Sequence, residues 1–137
     1  MKTSRLVLLL FFVVNAFAVS PVEKSAVKPE LPKAGVNLAR ANGGWLNAQV
    51  EDHRLVVTFY NTEKKPTPPD ATTGLARFDY GVARAPRTLR VALTPADGKP
   101  SLVTPQRVLP PHIFKVYLTL SGAAPNASLE SYAFQYP

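Results

Sequence analysis

From Gly43 to the C-terminus, apolar and polar residues alternate in short runs separated by turn clusters, the period-2 signature of half-buried β-strands. Trp45 to Glu51 places Leu46, Ala48 and Val50 on one face, and Arg54 to Tyr60 does the same with Leu55, Val57 and Phe59. Between them Glu51-Asp52-His53 forms a tight turn. Val56 and Tyr60 make the second face of that run partly apolar, which predicts a central strand covered on both sides, or one with a side open to a partner. Leu75 to Tyr80 sets Ala76, Phe78 and Tyr80 against Leu75, Arg77 and Asp79, and Leu89 to Thr94 directs Leu89, Val91 and Leu93 inward. A short run follows at Ser101 to Thr104. Ile113 to Leu120 carries Phe114, Val116, Leu118 and Leu120 on one face with Lys115, Tyr117 and Thr119 on the other, and Leu129 to Tyr136 closes the series.

The punctuation agrees with the runs. Asp97-Gly98 readily takes the positive φ values of a hairpin turn. Pro66, Pro68 and Pro69, and later Pro105, Pro110 and Pro111, withhold the amide donors a strand needs and so mark connections. No 3.6-residue period is sustained after residue 43. Six to seven short strands at this spacing predict a small antiparallel β-sandwich, immunoglobulin-like or of a related Greek-key type. Cysteine is absent, so the immunoglobulin disulfide is too, and the expectation concerns architecture alone. An outer-membrane barrel needs longer strands and fewer prolines.

Upstream of residue 43 the texture is different. Lys2 and Arg5 precede an unbroken apolar run from Leu6 to Val14, and Asn15-Ala16-Phe17-Ala18 supplies small residues at the cleavage positions. Residues 1–18 therefore read as a signal peptide, with an apolar run about half the ~20 residues of a membrane-spanning helix. The expected product is exported, periplasmic or secreted, with no membrane span after processing. Residues 19–42, rich in Pro, Lys and Ala, hold too little apolar surface to offset their ordering entropy and read as a flexible leader, with a short ordered turn at Val36 to Ala41. Residues 43–137 form the folded domain. Loss of Lys2 and Arg5 leaves fourteen basic side chains against nine acidic ones, a net charge of about +5. That excess favours anionic surfaces and does not call for nucleic acid.

Motifs for chemistry are sparse. After residue 18 the chain has neither Cys nor Met, and its histidines are His53 and His112, so no metal site and no cofactor are expected. No nucleophile elbow or Ser-x-x-Lys pair occurs, and Gly43-Gly44 lacks the pattern of a phosphate loop. Glu51, Asp52, Glu63, Asp70 and Asp79 offer carboxylates, but no spacing selects a catalytic pair. Asn126-Ala127-Ser128 fits a glycosylation acceptor. The candidate binding residues are Arg77, Arg84, Arg87 and Arg90, interleaved with Phe78 and Tyr80. Guanidinium groups grip carboxylates and phosphates as planar forks and stack on aromatic rings. Tyr117, pointing away from the apolar face of its run, and Trp45 complete the set. The same arginines also suit an edge that resists pairing with other chains. These features predict a non-enzymatic β-sandwich module that binds or spaces cell-envelope or extracellular components. Its expected partner is an anionic envelope polymer or another exported protein. A small periplasmic ligand or metal carrier, and a carboxylate-dependent hydrolase, are the alternatives.

Overall fold

The computed structural model describes residues 28–81, 87–122 and 129–137. Residues 1–18, the first part of the leader, Arg84 and the Asn126-Ala127-Ser128 sequence lie outside them. Eight strands run β1 (Val36–Ala39), β2 (Trp45–Glu51), β3 (Arg54–Tyr60), β4 (Thr73–Tyr80), β5 (Arg87–Pro95), β6 (Ser101–Val103), β7 (Phe114–Ser121) and β8 (Glu130–Tyr136). All the pairings are antiparallel, and among the described residues there is no helix. Hydrogen bonding orders the strands β1-β2-β3-β6-β5-β4-β7-β8 in a single sheet. Within that order, β3-β6-β5-β4 and β6-β5-β4-β7 each follow a Greek-key path, a hairpin-connected triplet flanked by a strand reached through a long connection.

Two features differ from the sequence expectation. First, there are eight strands in one continuous sheet rather than six or seven in two separate layers. The nine-residue β5 causes this: it pairs with β4 through Leu93 and with β6 from Thr94, so it belongs to both halves. The sheet curls until its edge strands β1 and β8 meet, giving a nearly closed barrel. Second, the sheet begins at Val36, inside the segment expected to be a tether. Val36 and Leu38 pack against the core, while Asn37 fixes the strand by accepting a hydrogen bond from Asn47 Nδ2 at 2.8 Å.

Side chains that alternate inward fill the barrel. Phe59, Phe78, Phe114, Leu46, Leu55, Leu93, Leu102, Leu118 and Leu120 are all but inaccessible to solvent. Phe78 and Phe114 meet edge to face with ring centres 5.0 Å apart, and Tyr136 stacks on Phe114 at 5.4 Å. Val116 and Leu118 are buried in the barrel interior, as the alternation of β7 requires, with Tyr117 half-buried on the outside. The β2–β3 hairpin turns on Asp52 and His53, both at positive φ (48° and 61°), the left-handed pair that matches a two-residue turn to the strand twist.

Where β1 and β8 meet, no ladder of backbone bonds is needed. Tyr136 Oη accepts from the Val50 amide at 3.1 Å, just beyond the point where β1 stops pairing with β2. At the other end Arg40, only 8% exposed, grips Glu130 through Nε and Nη2 at 3.0 and 2.7 Å and Asp70 through Nη2 at 2.9 Å. Its guanidinium lies over the Phe59 ring, 5.2 Å from the centroid, and so caps the core. The Arg40–Gly44 turn supplies the position: Arg40 N–H donates to Gly44 O and Gly43 N–H to Arg40 O. Gly43 sits at φ 86°, and a Cβ on Gly44 would lie 2.7 Å from the Tyr60 carbonyl oxygen, so the glycine pair is structural. Arg40 holds the Glu130 carboxyl below the usual range, against the opposing effect of burial. Burial and the bond to Glu130 push the Tyr132 hydroxyl up to about 12.

Candidate functional site

The outward positions of β5, β4, β7 and β8 line up across the sheet in three rows. The central row is Arg90, Arg77, Tyr117 and Ala133. On one side of it lie Thr88, Asp79, Lys115 and Gln135; on the other, Ala92, Leu75, Thr119 and Ser131. The second of these rows is small apart from Leu75, which is 49% exposed beside the arginine row. The face is open, cationic and aromatic.

Its centre is a stack. The Arg77 guanidinium carbon sits 4.1 Å from the Tyr117 ring centroid, and Lys115 Nζ lies 5.1 Å from the same ring. Electrostatic attraction of the cation to the ring face holds the Arg77 guanidinium over Tyr117. Arg77 Nη2 contacts Asp79 Oδ2 at a slack 3.3 Å, and Thr88 Oγ1 donates to Asp79 Oδ1 at the same distance. Arg77 Nε is buried and has no acceptor among the described residues. Arg90 forms no ion pair among the described residues. An oxyanion approaching this face therefore meets the exposed Arg90 guanidinium and an Arg77 Nη2 held by one slack contact, while the buried Nε stays out of its reach.

The structure brings together three of the six sequence candidates: Arg77, Arg90 and Tyr117. Arg87 faces the other way, at the rim, paired in register with Tyr80. Trp45 lies on β2, on the outer surface of the opposite half of the barrel, half-buried beside Tyr60. It shares no surface with the arginines. Lys115 was not among the candidates; its outward parity on β7, two residues from Tyr117, was the available signal.

Two other clusters were not foreseen as sites. Arg40 with Asp70 and Glu130 is one, and it lacks a local signal because the pair Arg40–Glu130 spans 90 residues. The second is His53 with His112, whose ring centres lie 5.3 Å apart at the opposite end of the barrel. Of the five carboxylates the sequence offers, Glu51 and Asp52 line one open groove and the other three each touch a cation. Asp79 lies against Arg77, Asp70 against Arg40 and Glu63 against Lys65 at 3.3 Å, each beside its own cation. Among the described residues no group of three or more metal-ligating side chains converges, and no helix is long and apolar enough to cross a membrane. Comparison with protein-family models, with curated proteins and with solved structures found no match to this chain.

Proposed function

We propose that this protein is an exported, non-enzymatic β-module that binds an anionic polymer of the cell envelope or extracellular space through the outer face of β5-β4-β7-β8. The observation that carries the reading is the row Arg90–Arg77–Tyr117, with the Arg77 guanidinium carbon 4.1 Å from the tyrosine ring centroid. A repeating carboxylate-bearing glycan matches it in two ways. Its carboxylates suit the forked donors, and the faces of its sugar rings suit the tyrosine and the small residues beside it. Separate pairing of Asp70, Asp79 and Glu63 with cations supports a binding role over a hydrolytic one. Within this reading the fold follows an immunoglobulin-like sandwich plan of six to seven strands, joined through β5 and extended by β1. The signal peptide at residues 1–18 delivers the module, and the part of the leader before β1 spaces it.

Titration with polygalacturonate beside a neutral polysaccharide of similar length tests the proposal. Binding should favour the polyuronate, weaken with salt, and fall at least about tenfold in Arg77→Gln and in Arg90→Gln, the scale of one lost charge-assisted contact. Equal binding by the wild type and both variants, or no preference over the neutral polymer, overturns it.

A further inference from the structure

The two histidines are separated by 59 positions in the chain, yet one residue positions both. The Val108 amide donates to the His53 carbonyl oxygen at 2.6 Å, and the Val108 carbonyl oxygen lies 3.3 Å from His112 Nε2. Val108 itself is 1% exposed, so this clamp is anchored in the core. His53 projects from the left-handed turn between β2 and β3, and the His112 ring rests near Phe114 with centroids 6.4 Å apart. With Nε2 of His112 donating to a backbone carbonyl, Nδ1 keeps its lone pair. Orientation of a histidine through its other nitrogen is the usual outer support of a metal-binding imidazole.

We infer that His53 and His112 form a two-imidazole site for a divalent transition metal, with Cu(II) preferred. Two imidazoles on one ion, each at about 2.1 Å through nitrogen, hold their ring centres roughly 4.5–6.5 Å apart. The observed 5.3 Å falls inside that range. His53 is exposed and shares an open groove with Glu51, Asp52, Arg54 and Arg107, so water completes the coordination. The flanking charges are mixed: two carboxylates face two arginines, and Lys99 lies on the same groove. Electrostatic attraction to a dication is therefore weak there. Affinity rests on the metal–nitrogen bonds, which are strongest for Cu(II) among the first-row divalent ions.

The test is titration of the full chain with Cu(II) and separately with Zn(II), followed by electron paramagnetic resonance of the copper form. One Cu(II) per chain is expected, bound more tightly than Zn(II), with hyperfine structure from two imidazole nitrogens. His53→Asn keeps a residue that tolerates the positive φ of the turn and leaves the core untouched. It should weaken Cu(II) binding at least about tenfold and reduce the signal to one imidazole. His112→Gln should do the same. Thermal unfolding of each metal-free variant identifies any that has lost its fold, and His53→Asn decides the matter if His112→Gln has. Unchanged affinity and an unchanged two-nitrogen signal in His53→Asn overturn the site, as does a wild type that binds no Cu(II). Equal affinity for Zn(II) overturns the copper preference.

Discussion

Arg40 and Arg77 are built from the same parts and do different things. Each guanidinium lies over an aromatic ring, Phe59 or Tyr117, and each touches a carboxylate. Arg40 has 4% of its side chain exposed and is bound to two carboxylates at 2.7–2.9 Å; Arg77 has 38% exposed and one contact at 3.3 Å. In the first case the guanidinium is buried and both Nε and Nη2 are bound to carboxylates, so the cluster acts as a seam joining β1 to β8. In the second, water still screens the charge and the single contact is slack, so the exposed part of the guanidinium is available to something outside the molecule. Residue type does not separate a seam from a binding face. Completeness of pairing does.

The strongest way to break this comparison is to remove both arginines in turn. Arg40→Ala removes a buried side chain that packs on Phe59 and leaves the partly exposed Glu130 without its counter-charge, and should destabilise by about 2–3 kcal/mol in denaturant titration. Arg77→Ala should cost less than about 1 kcal/mol. Similar losses at the two sites would mean that the outer stack is structural and that the proposed face is not a binding surface.

Truncation on the two sides of β7 calibrates that scale. Leu118→Ala should cost roughly 2–5 kcal/mol, through lost burial and the cavity left in the barrel. Tyr117→Ala, one residue away and half-exposed, should cost clearly less. A Tyr117 loss as large as that of Leu118 would place the Arg77–Tyr117 stack among the elements that hold the sheet together.

The seam also predicts a pH dependence. Because Arg40 depresses the folded-state pKa of Glu130, this carboxylate contributes stability above its ordinary value near 4.5 and loses that contribution as pH falls through the lower folded value. Unfolding midpoints should therefore drop on acidification below about pH 4.5, and Glu130→Gln should flatten the drop. An equally steep acid loss in Glu130→Gln would assign it to other carboxylates.

These contrasts also show which parts of the molecule could be read in advance. Seven of the eight strands stand within two residues of their expected bounds, since a barrel wall with one buried face enforces strict alternation. The outward parity of Arg77, Arg90 and Tyr117 followed from the same alternation. Their adjacency did not, because it depends on β4 lying between β5 and β7, an order set by long connections. Trp45 was grouped with them for its chemistry alone, and the topology puts it on the far side. β1 was hidden because only Val36 and Leu38 point inward along its four residues, too short a pattern to stand out from the proline-rich segment before it. Arg40 was hidden for a related reason: its partners are 30 and 90 residues away. Closure into a barrel depends on β5 serving both halves, and alternation within a strand carries no record of that.

The smallest expected effect on stability is also the sharpest test of what Arg77 is for. Arg77→Lys keeps the positive charge beside Asp79 but replaces a planar fork with a compact, strongly hydrated ammonium. On a partly exposed strand position such a change should move the unfolding free energy by less than about 0.5 kcal/mol, within the range of ordinary surface substitutions. If Arg77 served only to place positive charge on the sheet, polyuronate binding would survive the change, because Lys supplies the same charge. The stack on Tyr117 implies otherwise. A lysine cannot lie flat on the ring and present two parallel donors to one carboxylate, so the geometric part of recognition is lost while the long-range attraction stays. Arg77→Lys should therefore bind the polyuronate several-fold more weakly, with most of its salt dependence retained. Arg77→Gln should lose both. Indistinguishable binding by the wild type and Arg77→Lys would show that the row acts as diffuse charge, and that the Tyr117 stack has no part in choosing the ligand.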